Sequence, residues 1–338
     1  MVNVSEWLAQ TQEEAIEPEL PIIDTHHHLW DRIARRENRY MLDELLADVA
    51  DHNVRQSVFV ECSSMYRADG PEELKPVGET EYVRGIGAQS ASGMYGDLRA
   101  VTGIVGTADL TLGDAVSPVL EAQIAAAPDS FRGIRHRLAW ADTDVVPNPA
   151  AGQRAGLAME PAFREGFARL AKYDLSFDAW AYHPQLPEVA DLAAAFPETT
   201  IILNHLGGPI GIGSFEGRRD EVFAQWRIDL AAVAEHPNVM LKVGGLQMPV
   251  NGYGWHERDR PPTSDELLEA NRDWYLYAIE QFGPERCTLE SNFPVDRQSC
   301  SYTVLWNQFK KLTKDFTASE RAAMFHDTAL RIYRLEAG

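Results

Sequence analysis

The sequence has few cysteines and little positive charge. Among 338 residues there are three cysteines at wide spacing with no CxxC pair, Cys62, Cys287 and Cys300. This excludes a disulfide framework and a zinc ribbon, so we expect a reducing compartment and thiols that only pack. The 31 Lys and Arg residues face 51 Asp and Glu residues, a formal net charge of −20. Because such a surface repels phosphates, neither nucleic acid nor an anionic membrane is an expected partner.

Long apolar runs are also missing. No run approaches the ~18 residues that a membrane span needs. The N-terminus, MVNVSEWLAQTQEEAIEPELP, is acidic and unlike a signal or transit peptide, so we expect a cytoplasmic protein. With 45% hydrophobic residues and ordinary Gly and Pro contents, the chain can build a sizeable core.

Short β-rich runs alternate with amphipathic helical segments. Eight runs have this character: PIIDTHHH, QSVFVECSS, RAVTGIVG, FRGIRHRL, LSFDAW, TIILNHLGG, NVMLKVGG and RCTLESNF. Apolar residues recur at three- and four-residue spacing in five other segments, which are predicted to be amphipathic helices: LDELLADVADHN, PAFREGFARLAKY, PEVADLAAAFP, RRDEVFAQWRIDLAAVAEH and SDELLEANRDWYLYAIEQFG. The alternation of strands and helices predicts a parallel sheet. Eight strand-and-helix units predict a single (β/α)8 barrel domain over 1–338, in which 1–19 form an N-terminal extension. The rival, a doubly wound sheet, would show a glycine-rich phosphate turn early in the chain.

Three long segments follow predicted strands: 63–77, 142–159 and 247–263. In a barrel, loops at the carboxyl ends of strands build the active site, so these segments are expected to shape its pocket. Their large side chains either indicate an apolar or ring-shaped ligand or only cover the barrel: Met65, Tyr66, Trp140, Met248, Tyr253 and Trp255.

Histidines mark the first strand end. In Asp24-Thr25-His26-His27-His28, the alternation of a strand directs His26 and His28 into the barrel mouth and His27 outward. Two imidazoles on one face suit a divalent metal such as zinc. His183, beyond the fifth strand, is a further candidate ligand or an ordinary loop histidine.

Polar residues also end the sixth and eighth strands. His205 precedes Gly-Gly-Pro, and Glu290 and Asn292 share a face, with Asp296 beyond the Pro294 turn. Buried Glu290 needs a partner, either a metal or Lys242, or it belongs to a structural ion pair.

Arginine is clustered at the fourth strand. One of Arg132, Arg135 and Arg137 can hold a substrate carboxylate in a bidentate pair, or all three pair with the acidic surplus of the protein. Our predicted substrate-binding residues are Arg135, Trp30, Tyr66 and Trp180.

These motifs together resemble the amidohydrolase superfamily, in its lactonase branch. The resemblance runs from IIDTHHHLWD through RGIRH, FDAWAYHPQLPEVADLAAAFP and IILNHLGGP to LESNFPVD. It implies a (β/α)8 barrel and hydrolysis at a carbonyl centre, with His26 and His28 as the metal pair. Members commonly carry an eighth-strand Asp where this chain has Asn292, and an amide is not a general base. Some members of the branch work without a metal.

We therefore hypothesise a hydrolase that opens a small lactone or related ester. In this scheme a divalent ion, zinc or manganese, is held by His26 and His28 with His183 or a carboxylate, and activates water. His205 polarises the carbonyl, Glu290 or Asp296 moves the proton, and Asn292 donates to the oxyanion. A metal-dependent decarboxylase and a non-catalytic barrel that binds a small metabolite are the alternatives. Since barrels of this kind often pair, a homodimer is one expectation.

Overall fold

Eight short strands form one parallel sheet in the order of the chain. The computed structural model describes residues 4–32, 39–142, 146 and 153–336. Every strand coincides with one of the β-rich runs, because continuous apolar runs suit strands that are buried on both faces. The strands are β1 (Ile22–His27), β2 (Val54–Val60), β3 (Arg99–Gly106), β4 (Phe131–Ile134), β5 (Ser176–Ala179), β6 (Ile201–Leu203), β7 (Val239–Val243) and β8 (Cys287–Leu289).

The sheet closes between β1 and the segment after β8. His27 and Phe293 form a parallel bridge, and the backbone N–H of Asn292 donates to the carbonyl of His26 at 2.8 Å. Asp24 ties the same seam, since one of its carboxylate oxygens accepts from the backbone N–H of Ser291 at 2.9 Å. The predicted (β/α)8 barrel is confirmed.

Helices surround the barrel and mostly follow the predicted segments. The predicted helix over 161–173 is divided in two at Ala168. The helices are α1 (Val4–Leu8), α2 (Leu42–Val49), α3 (Val77–Ala91), α4 (Ser117–Ala126), α5 (Pro161–Phe167), α6 (Arg169–Lys172), α7 (Leu186–Ala195), α8 (Arg219–Ala234), α9 (Ser264–Phe282), α10 (Tyr302–Leu312), α11 (Ala318–Ala322) and α12 (Thr328–Ile332). None of them, in the described part of the chain, combines the length and apolar character of a membrane-crossing helix.

Apolar side chains fill one part of the barrel, and the C-terminal residues pack against them. Ile23, Val58 and Ile202 belong to a buried cluster that includes Tyr333 and Leu335. Buried polar side chains occupy other positions in the strands, such as Asp178 and Lys242, and positions directly after them, such as Glu290.

The long loops lie where the sequence places them, beyond β2, β4 and β7. Of the loop predicted at 142–159, residues 143–145 and 147–152 lie outside the described part of the chain. The loop after β7 rests on the N-terminal segment, because Trp7 Nε1 donates to the carbonyl of Arg258 at 3.0 Å and Thr11 Oγ1 to that of Pro261 at 2.9 Å.

Candidate active site

A cavity of about 440 Å³ lies at the carboxyl ends of the strands. This volume is within the range of roughly 300–1,000 Å³ that is typical of small-molecule sites. Aromatic side chains form one part of its wall, namely Trp30, Trp180 and Tyr182, and the apolar side chains of Met248 and Val250 form another. The cavity is therefore suited to a flat or ring-shaped ligand.

His205, which lines this cavity, is hydrogen-bonded to Glu290. Its Nδ1 lies 2.6 Å from Glu290 Oε1, and its backbone N–H donates to the same oxygen at 3.1 Å. A carboxylate only accepts, so Nδ1 carries the proton and Nε2 keeps its lone pair. No described residue forms a hydrogen bond to Nε2, which leaves it available to a ligand in the cavity. His205 has a left-handed backbone (φ 54°), an unfavourable conformation that the surrounding fold imposes.

His26 lies behind His205 and is enclosed by charged groups. Its Nδ1 lies 2.9 Å from Glu290 Oε2 and 3.3 Å from Lys242 Nζ, and its Nε2 lies 3.3 Å from Arg135 Nη1. Lys242 is also paired with Asp178 at 2.7 Å, and both are fully buried. His26 therefore contacts Glu290 and cations, not the cavity.

Burial keeps the histidines of the site uncharged. It holds the pKa of His26 and of His28 well below the usual range, and nearby cations add to the effect. Burial also lowers the pKa of His205, although Glu290 opposes that shift. A neutral His205 with a free Nε2 can accept a proton from water at neutral pH.

His26, His205 and Glu290 have the donor types of a metal site. Each of the three residues offers one possible ligand atom, and these atoms all lie within 4.8 Å of one another. The described residues contain no other such group of three or more His, Cys, Asp or Glu. Two imidazoles and a carboxylate are donors that zinc accepts. His28 and His183 are not members of this group.

The distances and neighbouring charges of these side chains nevertheless match hydrogen bonds better than metal coordination. Two donors on one tetrahedral zinc ion would lie about 3.3 Å apart at usual bond lengths, whereas His205 Nδ1 and Glu290 Oε1 are 2.6 Å apart. In addition, each ring nitrogen of His26 lies next to a cationic side chain. Arg135 is next to Nε2, and Lys242 is next to Nδ1. A divalent ion at His26 would therefore have to displace Arg135 or Lys242, whereas Glu290 Oε2 has no hydrogen-bond partner among the described residues.

Arg135 and Arg137 share one carboxylate at the edge of the cavity. The Nε atoms of both arginines lie 2.7 Å from Glu61 Oε1, and Arg137 Nη2 lies 2.6 Å from Glu61 Oε2. Burial would raise the pKa of Glu61, but the two guanidinium groups lower it below the usual value. The group therefore carries a net positive charge towards the cavity.

Asn292 lines the cavity, while Asp296 lies behind it. Asn292 Nδ2 donates to Asp296 Oδ1 at 2.9 Å, and Asn292 has a left-handed backbone (φ 55°). Burial raises the pKa of Asp296 well above its usual value. Because Asp296 does not line the cavity, it is poorly placed to act as a general base on a ligand there.

The other predicted site residues are distributed between the cavity and its surroundings. His28, Trp30 and Trp180 line the cavity. His183 lies apart, because a turn after β5 directs its Nδ1 to the backbone N–H of Ile210 at 3.2 Å. Tyr66 borders a neighbouring cavity.

Several residues of the cavity wall were not predicted as site members, and the polar ones among them include Arg32, Tyr182 and Gln298. Arg32 follows Trp30 by two residues at the end of the first-strand motif, a position that could have drawn notice. Gln298 carried no signal in the sequence.

Comparison with known proteins identifies the chain's relatives. A family model described as amidohydrolase matches residues 23–335. The uncharacterized protein y4mH of Sinorhizobium fredii is 32% identical over 337 residues, which cover 94% of this chain and 99% of that protein. An L-fucono-1,5-lactonase of Burkholderia ambifaria is 29% identical over 288 residues, 81% of each chain.

Solved structures share the fold. An amidohydrolase of Burkholderia multivorans with bound zinc superimposes with a TM-score of 0.70 at 24% identity, over 93% of this chain and 99% of that one. A similarity at this identity concerns the barrel alone.

Proposed function

This chain belongs to the amidohydrolase family and is an enzyme of that superfamily, and on that premise we propose that it hydrolyses a small lactone. One observation carries the proposal. Glu290 accepts a hydrogen bond from the protonated Nδ1 of His205, so the unprotonated Nε2 of His205 is available to a ligand in a cavity of small-molecule size. The lactonase relatives at 29% identity support an ester of this kind as the substrate.

In the first step His205 acts as the general base. Water donates a proton to Nε2 as its oxygen attacks the lactone carbonyl carbon. The negative charge of Glu290 stabilises the imidazolium that forms, and its hydrogen bond keeps the ring in the correct tautomer. Glu290 is thus a positioning residue and does not touch the substrate.

Arg135 and Arg137 are placed to stabilise the oxyanion. Both line the cavity, and together they carry one more positive charge than Glu61 neutralises. As the tetrahedral intermediate collapses, the ring C–O bond breaks and the imidazolium of His205 returns its proton to the leaving alkoxide. The product is a hydroxy acid, which ionises at neutral pH and acidifies the solution.

His28 is the rival base within the cavity. Its Nδ1 lies 2.8 Å from the carbonyl oxygen of Val60, so it too presents an unprotonated Nε2. A backbone carbonyl carries no charge to stabilise an imidazolium, whereas Glu290 does. His205 is therefore the stronger candidate.

The proposal is tested by incubating the purified protein with five- and six-membered lactones in weak buffer and recording acid release. We expect hydrolysis, and we expect His205→Asn to lower kcat by roughly 10³-fold because it removes the base. His326→Asn, at a histidine that borders a different cavity, is the matched control. Wild-type rates in His205→Asn would refute the role of this residue.

Metal dependence is tested with the same assay. We expect chelation to leave lactone hydrolysis unchanged, because Arg135 and Lys242 already stand beside the nitrogens of His26. Loss of activity on chelation, regained with zinc or manganese, would show that an ion displaces this network. Release of CO2 from an acid substrate, with no lactone hydrolysis, would instead identify a decarboxylase.

A further inference from the structure

The cavity has an unusual charge for this molecule. The chain as a whole carries a formal charge of −20, yet the described residues that line the cavity include three arginines and no Asp or Glu. A field of this sign attracts an anionic ligand and repels a cationic one.

The arginines are not equivalent. Arg135 and Arg137 are both paired with Glu61. Arg32 has no carboxylate partner among the described residues, and its hydrogen bond is from Nη2 to the carbonyl of Cys62 at 3.0 Å. A guanidinium has five N–H donors, so Arg32 keeps most of its capacity for a ligand.

Aromatic stacking holds Arg32 in place at the cavity wall. Its guanidinium carbon lies 4.8 Å from the ring centroid of Trp30, and Trp30 stacks on His28 with centroids 5.7 Å apart and planes 17° from parallel. A stacked guanidinium is more ordered than a free surface side chain, so it loses less freedom when it binds a carboxylate.

From this geometry we infer that Arg32 is a specificity residue that binds an anionic substituent on the lactone ring. The inference rests on the proposed lactonase function and adds a substrate class to it, namely lactones that carry a carboxylate. The ring lies between Trp30, Trp180 and the apolar wall, with its carbonyl near His205 and its carboxylate at Arg32.

The test compares two lactones that differ in one charge, 5-oxotetrahydrofuran-3-carboxylate and its carboxamide. We expect wild type to prefer the carboxylate in kcat/KM, and Arg32→Gln to reduce the carboxylate-to-carboxamide ratio about 10- to 100-fold, as for a lost charge-assisted hydrogen bond. Arg84→Gln, at an exposed arginine of α3, should keep the wild-type ratio. An unchanged ratio in Arg32→Gln would overturn the inference.

A binding measurement separates this inference from the proposed reaction. The ring ketone 3-oxocyclopentane-1-carboxylate has no ester bond, so its calorimetric affinity is independent of turnover. Tighter binding of this acid than of its amide in wild type, with the difference lost in Arg32→Gln, supports the anion site even if no lactone is opened. Equal affinities for acid and amide in wild type would refute the site, whereas lactone hydrolysis could still stand.

Discussion

At the scale of single residues, the charge of Glu290 decides how His205 works. We expect Glu290→Gln to lower kcat by about 10²- to 10⁴-fold, because a neutral amide neither stabilises an imidazolium nor enforces the tautomer. Burial lowers the pKa of His205 and the carboxylate opposes this, so removing the charge lowers the pKa further. Since the base works when deprotonated, the acidic limb of the kcat/KM profile should move to lower pH in the variant.

Glu280→Gln, an exposed residue of α9, is the control for this substitution. A limb that moves to higher pH in Glu290→Gln, or a kcat equal to that of wild type, would mean that Glu290 does not support the base.

At the scale of elements, the two glycines after β7 make room for the site. A Cβ on Gly244 would lie 2.4 Å from Glu290 Cγ, and one on Gly245 would lie 2.4 Å from His205 Nδ1. Gly245 also has a left-handed φ of 69°. We expect Gly245→Ala to displace the imidazole and lower kcat by roughly 10²-fold, as misplaced catalytic groups do.

Gly254→Ala provides the matched control, because this glycine has a similar φ of 64° and the nearest atom to an added Cβ is 3.6 Å away. It should cost about 1 kcal/mol of unfolding free energy from backbone strain and leave kcat unchanged. Equal losses of kcat in both variants would indicate that strain, not contact with His205, is responsible.

At the scale of the whole molecule, buried neutral histidines make the fold sensitive to acid. Burial lowers the pKa of His27 to about 4, that of His52 to about 3 and that of His183 to about 4. Below pH ~6.5 these histidines take up protons in the unfolded chain but stay neutral in the native state. The free energy of unfolding therefore falls as the pH is lowered. Burial raises the pKa of Asp24 to about 6, which acts in the opposite direction.

The contribution of one histidine can be isolated at His52, whose Nδ1 accepts a hydrogen bond from Lys310 of α10 at 2.9 Å. Between about pH 6 and 4, wild type should lose about 1.4 kcal/mol more unfolding free energy per pH unit than His52→Gln, whose amide oxygen can accept the same bond. Urea unfolding of the two proteins across this range measures the difference. Parallel pH dependences would mean that His52 takes up its proton in the folded state.

The fold was largely predictable, and the site was predictable in part. Continuous apolar runs located all eight strands, and the rule that barrel sites lie at carboxyl strand ends drew attention to His26, His205 and Glu290. The amidohydrolase resemblance is confirmed. Spacing alone could not show that His183 turns away or that Asp296 lies behind the cavity wall, because both follow strands and their direction depends on the loop.

The sequence by itself determined the strand order, the cluster of polar residues at one end of the barrel and the family. The tertiary structure alone decided the partners: Glu290 with His205, 85 residues apart, and Glu61 with Arg135, 74 residues apart. Periodicity along a strand sets which face a side chain occupies, and this is local information. Which side chains meet across the barrel depends on its closure and on packing among distant strands, and no local pattern encodes that.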